Sequence, residues 1–264
     1  MEGISGIVDW KETSSRDGGG AYERARRLMS ADANAAALGA FEGGASEVVI
    51  NDSHGGNRNI LVEELDERVR LISGSPKYLS MMEGVPGHDV AMFVGYHSRA
   101  HSLGVMNHTY TGSVEEYRIN GQLYGEFGMN AAIAGHYGVP VILVTGDQQV
   151  AAEAKALVPS VRTVVVKDAV TQLAANLIHP ARARGMIRAG AAEAVKAALA
   201  GKPQPFVVPG PVRLELRLAR SILADAAVVV PGAERVSDVV VAWEGSDYLQ
   251  CYRAFRAMIS MASS

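Results

Sequence analysis

The sequence predicts an α/β fold in which a mostly parallel sheet carries helices on both faces, followed by a smaller C-terminal α/β lobe. Three observations point there. Helical periodicity and short β-branched runs alternate along the chain. The runs in EVVINDSHGG, HDVAMFVGYHSRA and VPVILVTGD are apolar throughout, as strands covered on both faces are. Each run then breaks into polar and glycine residues, as a strand entering a loop does.

The elements follow in order. YERARRLMSADANAAALGAFEGG places apolar or small residues at Ala25, Leu28, Met29, Ala36, Ala37, Ala40 and Phe41, an amphipathic helix ending at Gly43 and Gly44. EVVIN is a buried strand, and Asn51, Asp52, Ser53 and His54 lie just past its carboxyl end. Val90 to Val94 form the next strand, and His97 follows at once. EEYRINGQLYGE reads as a hairpin turning at Asn120 and Gly121, the dipeptide that most readily supplies two positive φ values. GEFGMNAAIAGHYG is helical and leads into the strand VPVILVTGD. Beyond Asp147, VRTVVVKDAV reads as a strand, PARARGMIRAGAAEAVKAALAG as a long helix and KPQPFVVPGP as a connection between lobes. VRLELRLA and VSDVVVAWEG are further strands, and SDYLQCYRAFRAMISMA is a closing helix with Ser246 as its cap. The glycines of DGGG, 17 to 20, read as a flexible loop, because no Lys-Ser or Lys-Thr pair follows to make a phosphate loop. Residues 1–200 form the metal-binding domain in this reading, and 201–264 the C-terminal lobe of the same unit.

Composition narrows the function. The chain has 264 residues, 48% of them hydrophobic and 20% charged, which is ordinary for a globular protein with a proper core. A net charge of -3 with scattered basic residues argues against nucleic acid. Cys251 is the single cysteine, so no internal disulfide and no thiolate zinc site is expected, and its apolar helical setting suits a buried core thiol. There is neither a membrane-length apolar stretch nor a signal-peptide layout at the N-terminus, so a cytoplasmic protein without membrane association is expected.

Ligands of open parallel sheets gather outside the carboxyl ends of the strands. His54 and His97 both leave strands at that edge, and Glu126 begins the helix after the hairpin, where the helix terminus helps to place a carboxylate. Imidazole and carboxylate without thiolate suit zinc or a similar divalent ion in a hydrolytic site. In the loop SRAHSLGVMNHT, His101 or His108 is placed to act beside the metal. Asp52 is a candidate for fixing the imidazole tautomer of His54. His136 and His179 read as structural, and His88, before a strand, lies at the wrong end.

Taken in order, MEGISG, VINDSHG, FVGYHSRA, GVMNHT and YGEFGMNAAIAGHYGVPVILVTGD resemble the zinc-dependent D-aminopeptidases of the type encoded with bacterial dipeptide transporters. The likeness is strong from residue 1 to about Thr171 and looser to the end. It implies two zinc ions, Glu2, His54, His97 and Glu126 as ligands, and His108 as the catalytic residue, either nucleophile or proton carrier. His101 stands where members more often carry a small residue and is left as a pocket residue. The implied activity is removal of an N-terminal D-residue, D-alanine by preference, from short peptides, in a ring-shaped homo-oligomer, a decamer by this resemblance. A non-catalytic peptide-binding relative and a related metal-dependent amidase are the alternatives.

The family pattern reads Asp-Met-Glu-Gly-Ile-Ser-Gly, whereas this sequence starts at the Met. The metal-bridging Asp and the apolar first strand before it are absent, which should expose neighbouring strand edges and leave a groove in the core. If the coding start lies upstream, Glu2 is positioned by a strand outside the sequence. If it does not, the chain is a degenerate relative with Glu2 frayed and with fewer ions or none.

Overall fold

A computed structural model describes residues 1–201 and 203–262. The elements run α1 (Trp10–Thr13), α2 (Gly19–Gly43), β1 (Val49–Asn51), β2 (Arg70–Ile72), β3 (Ala91–Tyr96), β4 (Val114–Ile119), β5 (Gln122–Tyr124), α3 (Glu126–His136), β6 (Val141–Asp147), α4 (Gln148–Leu157), β7 (Arg162–Thr171), β8 (Ala174–Leu177), α5 (Pro180–Ala200), β9 (Val212–Leu218), α6 (Ser221–Ala227), β10 (Glu234–Arg235), β11 (Val240–Gly245) and α7 (Tyr248–Ala262).

The expected parallel order is present in β1–β2 and in β3–β6–β7, to which β8 adds an antiparallel edge. Helices α2 and α5 cover one face of the β3–β6–β7–β8 sheet through Ala36, Ala40, Leu143, Val166 and Ile187. On the other face α3 and α4 contribute Ile133 and Val150 to a core shared with Val144. Strand β6 is buried along its whole length, which its uninterrupted apolar run requires.

The hairpin turns where the sequence places it, with φ of 50° at Asn120 and 79° at Gly121. Its strands, however, join a separate antiparallel sheet in the order β10–β11–β9–β4–β5. Strand β9 pairs along β4, Tyr117 facing Leu216, so β9, β10 and β11 share their sheet with residues 114–124. Helix α7 packs Phe255, Met258 and Ile259 into the same core. Cys251 is buried there as a free thiol, and burial pushes its pKa up to about 12.

Two local expectations are corrected. Gly19 and Gly20 open α2 and are not a loop, and that helix stops at Gly44, whose φ of 108° closes the last turn. The start of α7 is capped by Asp247 and not by Ser246: the Asp247 carboxylate accepts from the Gln250 backbone at 3.0 Å, while the Ser246 hydroxyl accepts from the Gln250 side chain.

Between β1 and β3 lies a groove of about 640 Å³, lined among others by Ala33, Ala37, Val49, Ile50, Met92 and Val94. Among the described residues no strand pairs with the facing edges of β1 and β3. This is the groove with open strand edges that the sequence leads one to expect. Its lining includes Ile4 and, as titratable residues, Glu47, Glu83, His88 and Asp89.

Candidate metal centre

The N-terminal residues are not frayed. Glu2 is 4% exposed, and Met1, Ile4 and Ile7 are buried with it. The Gly3 amide donates to the Gly95 carbonyl at 3.1 Å, which brings the segment against the end of β3. That approach needs glycine, because a Cβ on Gly3 would stand 1.7 Å from the Tyr96 carbonyl oxygen. The Glu2 side chain then reaches His54, with Oε1 3.3 Å from Nδ1.

His54 leaves the end of β1 on a loop held by Asp52. The Asp52 carboxylate accepts from the backbone amides of Asn59 and Ile60 and from the Asn59 side chain. It therefore shapes the loop and does not touch the imidazole, contrary to the sequence-based expectation. The ring is oriented instead by Thr13, whose carbonyl accepts from His54 Nε2 at 2.9 Å. Thr13 ends α1, a helix closed by a capping box between Asp9 and Glu12.

The second group forms where β3 ends and α3 begins. His97 Nε2 lies 3.2 Å from Glu126 Oε1, and His108 Nε2 lies 3.7 Å from the same oxygen. The Tyr110 amide donates to that oxygen at 2.8 Å and fixes the carboxylate. His97 and His108 offer ligand atoms that, with a carboxylate oxygen of Glu126, all lie within 4.8 Å of one another. The edge of the Trp10 ring meets His108, with centroids 5.4 Å apart.

The three imidazoles share one arrangement. Each has one ring nitrogen against a main-chain carbonyl: Thr13 for His54, Ser98 for His97 and Met106 for His108. With one N–H donated there, the other nitrogen faces Glu2 or Glu126, and its lone pair becomes available to a metal once any proton on it is displaced. This is how imidazoles that bind a metal are prepared, since the outer hydrogen bond sets both tautomer and ring plane. The donor set is nitrogen and oxygen only, suited to zinc in a hydrolytic site.

Without a metal, the carboxylates and imidazoles compensate one another. Burial pushes Glu126 up, but the His97 imidazole outweighs it and holds the carboxyl down at about 2. Burial works against a charge on His97, yet Glu126 beside it raises the imidazole to about 9. For Glu2, burial is outweighed by His54 and the chain's own ammonium, and the carboxyl sits well below the ordinary range. His108 is lowered, first by burial and then by His97.

His101 is not part of this centre; it is exposed, with φ of 59°, on the outer side of its loop. His88 lies away from the centre, with both ring nitrogens buried and unpartnered at the groove. Three polar residues beneath the site escaped the sequence reading: Lys167, Asp32 and Asp147, all buried. A signal for two of them existed, a lysine inside the apolar run VVVKDAV and an aspartate inside an alanine-rich helix.

Comparison with known proteins shows the family. The chain is similar to the D-aminopeptidase of Bacillus subtilis (strain 168), with 37% identity over 264 residues, covering 99% of this chain and 95% of the relative. Its fold is similar to the Zn-dependent D-aminopeptidase DppA from Bacillus subtilis, described as a self-compartmentalizing protease. That match has a TM-score of 0.95 at 36% identity and covers 100% of this chain and 95% of the other. The D-aminopeptidase family model matches residues 1–257, and the chain belongs to the D-aminopeptidase family.

Proposed function

We propose that this centre binds zinc through Glu2, His54, His97 and Glu126 and releases N-terminal D-residues, D-alanine by preference, from short peptides. The observation that supports it most is the shared preparation of three imidazoles, each tied by one nitrogen to a backbone carbonyl with the other facing a carboxylate. Zinc bound by such donors supplies a Lewis acid that polarises an amide carbonyl and makes water more acidic.

The chain's own residues do the rest in this reading. His108 keeps its Nδ1 on the Met106 carbonyl, so the Nε2 lone pair faces the reaction space. Its lowered pKa leaves it neutral near pH 7, able to take a proton from the attacking water or to attack the carbonyl itself. The proton it accepts is then available to the departing amine. Trp10, edge-on to His108, limits the ring's movement and covers one side of it from water.

One observation favours a second role for His108. Its Nε2 lies in the same ligand group as His97 and Glu126, which suits a direct ligand as well as a proton carrier. Assembly as a homo-oligomeric ring, a decamer in size, would place these sites in an inner chamber open only to small peptides, and a cytoplasmic setting matches salvage of peptides containing D-residues. No helix among the described residues is long and apolar enough to cross a membrane.

The test measures bound zinc and the hydrolysis of D-alanyl, L-alanyl and N-acetyl-D-alanyl amides by the same preparation. Zinc-dependent cleavage of the D-alanyl amide alone is expected. A protein that binds zinc and prefers the acetylated amide is an amidase of another kind, and one without zinc or hydrolysis is a binding protein.

A further inference from the structure

Lysine is almost never fully buried unless it is paired, because desolvating an ammonium is costly. Lys167, in the middle of β7, is 0% exposed. Among the described residues no carboxylate oxygen lies within salt-bridge distance of it. Its ammonium donates instead to two main-chain carbonyls, Glu2 at 2.6 Å and Ile7 at 2.9 Å. The attraction of Asp147, Glu2, Asp32 and Glu12 offsets part of the burial penalty, and Lys167 still falls to about 8.

Both acceptors belong to one loop. Their carbonyls are five positions apart in sequence and converge on one ammonium, which closes the turn from Glu2 to Ile7. Halfway along it, Ser5 is held by a second buried charge: the Asp32 carboxylate accepts from the Ser5 amide at 2.8 Å and from its hydroxyl at 2.9 Å. The loop carrying Glu2 is thus fixed from below by a cation and an anion reached from two different elements, β7 and α2.

We propose that Lys167 is a positioning residue for the metal centre, setting the place of the Glu2 carboxylate by clamping the Glu2 and Ile7 carbonyls. An apolar side chain at this depth would pack in β7 at lower cost, so packing alone does not account for an ammonium there. A bond to the backbone of residue 2 itself acts one residue's length from the carboxylate that faces His54. Outer partners of metal ligands act this way, and losing one weakens metal binding about 10- to 100-fold. This inference rests on the reading of Glu2 as a zinc ligand.

The experiment compares the wild-type chain, Lys167→Met, Glu2→Ala and the double variant. Zinc affinity is read by competition with a chelating dye, and the site's geometry by the visible absorption of the cobalt-substituted proteins. We expect Lys167→Met to weaken zinc about 10- to 100-fold and to shift the cobalt bands. In the Glu2→Ala background the same change should add little, since the interaction would already be lost. Unchanged affinity and spectrum in folded Lys167→Met, or an equal loss in both backgrounds, overturns the proposal. Should Lys167→Met fail to fold by circular dichroism, Lys167→Gln takes its place, and failure of both assigns Lys167 to stability and likewise overturns it. Wild-type zinc binding by Glu2→Ala is a different result, which removes Glu2 from the ligand set and with it the reading on which the inference stands.

Discussion

The rings of His97 and His108 stack face to face, with centroids 4.0 Å apart and planes inclined by 15°. Two imidazolium ions at that distance repel strongly, so one proton excludes the other. Glu126 favours the proton on His97, and His108 is left neutral. In the metal-free protein His108 is therefore expected to titrate below the ordinary histidine range. Replacing His97 by Asn should move the His108 pKa upward, followed through its ring signals by NMR; an unmoved titration would show that burial alone lowers it.

With His97 as a ligand, as proposed, zinc has to displace the proton that this imidazole carries. Because Glu126 holds His97 up to about 9, the imidazole is protonated throughout the neutral range in the metal-free protein. Apparent zinc affinity should rise about tenfold per pH unit below that value for each proton displaced. Calorimetry in buffers of different ionisation enthalpy should show proton release at pH 7. Affinity that stays level from pH 6.5 to 8.5 would contradict this.

The two roles of His108 separate on substitution. His108→Ala is expected to lower kcat by about 10²- to 10⁴-fold while zinc content stays at the wild-type level, the loss typical of a missing general acid-base group. Glu126→Ala, by contrast, should lose zinc. If His108→Ala also comes out of purification depleted of metal, the side chain is a ligand.

Asp32 gives the fold a pH dependence of its own. Burial pushes its carboxyl up to about 6, against the lowering effect of the Ser5 bonds. An acid whose folded pKa exceeds its unfolded value of about 3.9 adds stability below that value, and the contribution is lost as pH rises through 6. The span corresponds to about 3 kcal/mol at most. Urea titrations of the metal-free protein should show this slope between pH 4 and 6, and Asp32→Asn should flatten it.

The groove of about 640 Å³ between β1 and β3 is lined in part by Ile4, three residues after Met1, whose ammonium is buried against Glu2 at 3.0 Å. A designed extension placing an apolar strand of about five residues ahead of Met1 fits these open edges. It should pair with them, remove a buried charge and stabilise the fold by several kcal/mol. Differential scanning calorimetry measures this as a rise in Tm. No rise would mean that the groove does not accept a strand.

Much of this protein was legible from local pattern. The apolar runs locate β1, β3 and β6, the asparagine-glycine pair locates the hairpin, and the loops after two of those strands deliver His54 and His97. These features follow from side-chain period and backbone preference, which neighbouring residues report. The partner of a strand is not reported that way: nothing near VRLELRL says that it pairs with β4, about 100 residues earlier. The same limit applies inside the site. The motifs supply imidazoles and carboxylates, but only the folded chain brings the Thr13 carbonyl to His54, sets His108 on His97 and slides Lys167 beneath Glu2. Hydrogen bonds between distant segments leave no periodic trace, because each needs only one donor and one acceptor that almost any residue's backbone can provide.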